Sequence, residues 1–81
     1  MYFVYAIHSE IVNRIYVGMS SNVEKRLLEH NSGKTKSTKG YKPWTLFYKE
    51  TLETRTEARI REKYLKSGCG KEFLKEILNS I

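Results

Sequence analysis

Aspartate is absent from this 81-residue chain: its nine acids are all glutamates, set against 15 lysines and arginines. That speaks against the dense carboxylate clusters that hold two metal ions between phosphate oxygens, so a metal, if used, is expected to have few protein ligands. The one cysteine, Cys69, cannot close an internal disulfide. The two histidines, His8 and His30, form no CxxC or HExxH pattern, which excludes structural zinc. No apolar run approaches the ~20 residues of a membrane span. The opening run Met1 to Ile7 is apolar but has no basic leader, and His8 to Asn13 offers no small-residue cleavage site. No signal peptide is expected, and the cytoplasm is the expected compartment. The length suits one domain, residues 1–81, and is short for two independent cores. A domain this small buries only about 60% of the surface its unfolded chain exposes, so site residues must share core-facing stripes with the core itself.

What the chain has is positive charge. A net charge of +6 and a pI near 9.6 favour a polyanionic partner, with nucleic acid the leading candidate. Tyr2 to His8 and Arg14 to Met19 are rich in aromatic and β-branched residues and are separated by polar Ser9 to Asn13, which reads as a β-hairpin. Ser21 and Glu24 fit a capping box, starting a helix that runs to about Asn31 before Ser32-Gly33. Lys34 to Lys42 holds four lysines and no acid and reads as a basic loop. Pro43 then opens a third strand, Trp44 to Glu50. Thr54 and Glu57 repeat the capping-box spacing for a second helix ending at Lys66, and Phe73, Leu74, Ile77, Leu78 and Ile81 mark one face of a third. The expected fold is α+β: a small three-stranded antiparallel sheet flanked by helices, in the order β-β-α-β-α-α, with strand order left open.

Polar side chains fall where core residues belong. On the first helix Val23 and Leu27 define an apolar stripe, and Arg26 and His30 lie on or beside it. Unpaired buried charge costs several kcal/mol, so these groups need a partner, and an anion would serve. The bland alternative has Arg26 snorkelling beside Glu24 or Glu29 and His30 as an ordinary residue at a helix C-terminus. On the second helix Glu62 sits between Ala58 and Leu65 on one face, at least half buried, while Ile60 and Tyr64 make a second apolar face that should place this helix between the sheet and the third helix. Glu62 alone reads equally well as satisfied by Arg59 or Arg61; its coincidence with Arg26 and His30 makes it a metal-ligand candidate. Tyr5 and Tyr16 lie on neighbouring strands of the hairpin, close together if register permits, although strands favour tyrosine for its own sake. Lys34, Lys36, Lys39, Lys42 and Lys49, interleaved with Tyr41 and Trp44, suit a nucleic-acid groove in which phosphates meet lysines and a ring stacks on a base. The competing reading is a solvated loop with Trp44 in the core.

Four motifs in this order resemble the GIY-YIG nuclease superfamily over roughly Tyr2 to Phe73: Phe3-Val4-Tyr5, Tyr16-Val17-Gly18, Arg26 through His30-Asn31, and the helix from Ala58 through Glu62 to Lys66. Length and the stretch His30-Asn31-Ser32-Gly33 are most similar to its small standalone bacterial branch, itself similar to the N-terminal nuclease domain of the excision-repair incision subunit. The resemblance implies a divalent-metal-dependent endonuclease acting on DNA, in repair or processing of structured DNA, with 5′-phosphate and 3′-hydroxyl products. It implies that Tyr5 and Tyr16 flank the attacking water, that Arg26 holds the scissile phosphate and that His30 assists proton relay or phosphate contact. Glu62 would bind a single Mg²⁺ or Mn²⁺. Two departures stand out: Phe3 replaces the glycine of the first motif, and Met19 follows Gly18 where several members place a lysine, whose role this chain must do without or borrow from Lys25 or Lys39. The competing functions are a non-catalytic module binding DNA or RNA on the same fold, and a protein-interaction domain whose charge only aids solubility. The expected partner is nucleic acid, with no membrane; a larger repair complex and the oligomeric state are left open.

Overall fold

The computed structural model describes residues 1–81. Three strands, β1 (Tyr2–Ser9), β2 (Ile15–Ser20) and β3 (Trp44–Leu52), and three helices, α1 (Val23–Ser32), α2 (Arg55–Lys66) and α3 (Gly68–Asn79), follow the expected order. Both strand pairings are antiparallel and the spatial order is β2-β1-β3, with β1 central. A central strand covered on both faces reads as a continuous apolar run, and Val4 to Ile7 is buried throughout.

The register sorts side chains between two faces. Val4, Ala6 and Val17 pack against Ala58 and Leu65 of α2 and Leu74 of α3. Tyr5 and Ile7 project the other way, against Val23 of α1 and Trp44. The sheet is therefore the middle of three layers, and its Tyr5 face is the one beneath α1. Trp44 is only 3% exposed, and its indole N–H donates to the Thr38 carbonyl at 2.9 Å. It is a core residue and not a platform for a base, so the bland reading of Trp44 is the correct one.

Local structure departs from the sequence reading in three places. β2 continues through Ser20, so α1 is capped one residue later than the Ser21–Glu24 spacing predicts: Asn22 accepts from the Lys25 N–H at 3.1 Å. The helix stops at Gly33, whose φ of 85° lies in the left-handed region. The basic stretch contains a single 3-10 turn, Lys39–Tyr41, and is anchored by buried Thr38, so it is an ordered element and not plain loop. On α2 the Thr54–Glu57 capping box forms as read, but Ile60 and Tyr64 are 65% and 45% exposed. The reason lies at Gly70, where any Cβ would strike the backbone of Tyr64 and Leu65: α3 docks on the C-terminal end of α2 and leaves the second apolar face uncovered.

Candidate active site

Gly18 is where the hairpin builds the site. Cross-strand partners are Tyr5 with Gly18 and Ile7 with Tyr16, so the two tyrosines are diagonal neighbours on one face. A Cβ on Gly18 would stand 2.7 Å from the Tyr5 Oη and 3.1 Å from a Tyr16 ring carbon. Both rings thus close over the space that a side chain would take. Glycine here serves close approach.

α1 lowers His30 onto this pair. The imidazole is fully buried, 3.0 Å from the Tyr5 Oη through Nε2 and 2.8 Å from the Thr38 Oγ1 through Nδ1. The Thr38 hydroxyl donates to the Thr35 carbonyl at 3.3 Å and so accepts from His30. This assigns the proton to Nδ1 and leaves Nε2 to accept from the Tyr5 phenol. Burial, with the Arg26 charge nearby, holds His30 below the usual imidazole range and keeps it neutral. Burial pushes the Tyr5 phenol up, and the Arg26 guanidinium pulls against it. The Tyr16 ring packs on the same imidazole with centroids 4.8 Å apart, but Tyr16 stays half-exposed.

Arg26 is half-buried and forms an ion pair with Glu29 at 2.6 Å, as the bland alternative for α1 expects, and it holds that carboxyl below the usual range. The same guanidinium acts on Tyr5, so it belongs to both. Glu62 is 18% exposed in its side chain and lies 3.3 Å from Lys66. Its charge is among those that raise the Tyr5 phenol. No group of three His, Cys, Asp or Glu side chains comes together as a metal cage. A single carboxylate is nevertheless a donor set that suits Mg²⁺ or Mn²⁺, hard ions that keep several waters and take substrate phosphate oxygens as ligands.

The structure therefore brings together Tyr5, Tyr16, Arg26 and His30, while Glu62, on α2, acts on Tyr5 through its charge. The basic stretch joins this cluster through Thr38, while its Lys34, Lys36, Lys39 and Lys42 are exposed and Tyr41 is half-buried with the Arg14 guanidinium 4.3 Å over its ring. Met19 packs on the α2 side of the sheet. Lys49 on β3 stands directly across from Tyr5, with its ammonium over the Phe3 ring and 3.7 Å from Glu24. Two further residues escaped the sequence reading. Thr38 orients His30, and Asn31 ties α1 to β3 by exchanging two hydrogen bonds with the Trp44 backbone. The only available signal was that a buried histidine at position 30 needs a partner on each nitrogen.

Comparison with known proteins gives the family of the chain. The family model described as GIY-YIG catalytic domain matches residues 1–73. Among curated relatives, a UPF0213 protein of Staphylococcus haemolyticus is 39% identical over 66 residues, 80% of each chain. A UPF0213 protein of Staphylococcus saprophyticus is 38% identical over 64 residues, 78% of each chain. One of Clostridium perfringens is 43% identical over 53 residues, 64% of this chain and 57% of its own. No solved structure matches significantly. No helix is long and apolar enough to cross a membrane. With the match running from β1 into α3, across every strand and the helices that carry Arg26, His30 and Glu62, the chain belongs to the GIY-YIG family of nuclease domains.

Proposed function

We propose that this protein is a divalent-metal-dependent endonuclease that hydrolyses phosphodiester bonds in DNA. The observation that carries the reading is the Tyr5–His30–Thr38 hydrogen-bond chain, lying under the charges of Arg26 and Glu62. An isolated phenol titrates near 10 and is a poor base at neutral pH. Tyr5 escapes this limit, because its proton already points at a neutral Nε2. As the Tyr5 oxygen takes the proton of the attacking water, its own proton passes to His30, and no free phenolate accumulates. Thr38 keeps Nδ1 as donor throughout. Half-exposed Tyr16 positions the water or a phosphate oxygen, and Arg26 neutralises the charge that grows on the phosphate in the transition state. Glu62 would hold a single Mg²⁺ or Mn²⁺, which when bound supplies Lewis-acid stabilisation to phosphate oxygens. The products are a 5′-phosphate and a 3′-hydroxyl.

These 81 residues offer little surface for reading bases, so recognition rests on DNA shape or on a partner, as in a repair or processing complex. The test is cleavage of labelled single-stranded, duplex and branched DNA with Mg²⁺ or Mn²⁺, comparing wild type with Glu62→Ala, Tyr5→Phe and Tyr16→Phe. Metal-dependent products that vanish in Glu62→Ala support the enzyme. Salt-sensitive binding of DNA or RNA in all four proteins, with no cleavage of any substrate, favours a binding module instead.

A further inference from the structure

A groove of about 490 Å³ opens beside the catalytic cluster, in the size range of pockets that hold small ligands. Two of its lining residues belong to the cluster's rim: Tyr16 packs on the His30 ring, and Thr38 accepts the His30 N–H. The β1–β2 turn contributes Arg14, and α3 contributes Lys71 and Lys75. No acid lines the groove.

These three cations are little compensated. Neither Arg14 nor Lys71 takes part in any of the five ion pairs, and Lys75 meets only exposed Glu72, at 4.0 Å. Lys71 and Lys75 stand at i and i+4 on one helical face, where like charges repel. Arg14 is held in place by its stacking over Tyr41, and a stacked guanidinium still offers edge N–H groups to an anion. A concave wall with cations of one sign focuses potential on whatever enters it.

We propose that this groove is a backbone subsite, in which Arg14, Lys71 and Lys75 hold the phosphodiesters of the strand leading away from the cleaved bond. The proposal rests on the nuclease reading and extends it: the hairpin turn and the third helix add phosphate contacts to those expected of the lysines of 34–42. Tyr16 and Thr38 link the two regions, so a strand seated in the groove runs to the half-exposed Tyr16, whose ring packs on buried His30. The expected ligand is a sugar-phosphate backbone read without regard to base.

The experiment measures fluorescence anisotropy of a fluorescein-labelled DNA oligonucleotide, single-stranded and duplex, without divalent metal and over a series of salt concentrations. The Lys71→Ala/Lys75→Ala double variant is compared with wild type and with Arg55→Ala/Lys63→Ala, which removes the same charge from exposed positions of α2 outside the groove. Circular dichroism verifies that all three fold. The groove variant is expected to lower the slope of log affinity against log salt by roughly 1.4 on a single strand, about 0.7 for each phosphate no longer neutralised, with the control close to wild type. Equal slopes in the two double variants, with wild type still binding and cutting, overturn the groove and leave the nuclease reading intact. A groove variant that loses binding while wild type cuts nothing supports the groove and overturns the nuclease. Absence of wild-type binding overturns both.

Discussion

Replacing Gly18 with alanine tests how the site is built, because it adds one methyl group and removes nothing. The new Cβ would stand 2.7 Å from the Tyr5 Oη, 2.9 Å from Cζ and 3.1 Å from the Tyr16 ring, where ordinary contact begins near 3.4 Å. The Tyr5 phenol has to retreat by roughly 0.7 Å to reach that distance. Tyr5 is only 1% exposed, so its ring has no solvent to move into, and the displacement falls on the 3.0 Å hydrogen bond to His30. Overpacking of this kind costs about 1–3 kcal/mol. At about 4–8 °C per kcal/mol for a domain this size, the melting temperature should fall by roughly 5–20 °C. Cleavage, assayed well below the melting temperature, should fall further than the folded fraction does, because the proton acceptor of Tyr5 has shifted. Two readouts are needed: thermal unfolding by circular dichroism, and the ring ¹⁵N shifts of His30. Gly40→Ala is the control, since nothing lies within 4 Å of its Cβ position. A Gly18→Ala protein with wild-type melting temperature and unchanged His30 shifts would refute the close-approach argument.

His30 is held below its usual range by burial, so the folded state resists protonation more than the unfolded chain does. Stability should be intact above an unfolded pKa of about 6.5 and fall as pH drops toward the depressed folded value, by at most about 1.4 kcal/mol per pH unit. Urea titrations between neutral pH and pH 5 should show this slope in wild type and a shallower one in His30→Gln. Thr38→Val keeps the volume but strips the acceptor from a buried N–H, at about 1–3 kcal/mol. The ring ¹⁵N shifts should then report loss of the Nδ1-protonated tautomer, and an unchanged tautomer would mean that Thr38 does not orient the ring. Glu62→Ala should abolish metal-dependent cleavage with little change in melting temperature, since its only ion pair is with exposed Lys66; a large loss of stability would make Glu62 structural.

Periodicity and capping chemistry made the element order legible in the sequence, because each depends on neighbours within a turn or a strand. The Thr54–Glu57 box and the stop at Gly33 are local events, and both form as read. The α1 start shifted to Asn22 because strand pairing carried β2 through Ser20, a long-range effect. Arg26, His30 and Glu62 were visible as polar residues on apolar stripes, and the two tyrosines as members of one hairpin. Which group meets which is a property of register and docking. Tyr5 faces His30 because Gly18 leaves room across the strand; burial keeps His30 neutral, and Thr38, eight residues on, fixes its tautomer by accepting from Nδ1. The lysines of 34–42 dominated the sequence as a charge run, yet the concave cationic surface arises from Arg14, Lys71 and Lys75, drawn from opposite ends of the chain. Composition and spacing determined the fold class, the basic character and the residue types available for chemistry. The hydrogen-bond direction through Tyr5, the burial of Trp44 and the groove beside Tyr16 were decided only by tertiary structure, because each depends on distances between residues that only the packed sheet brings together.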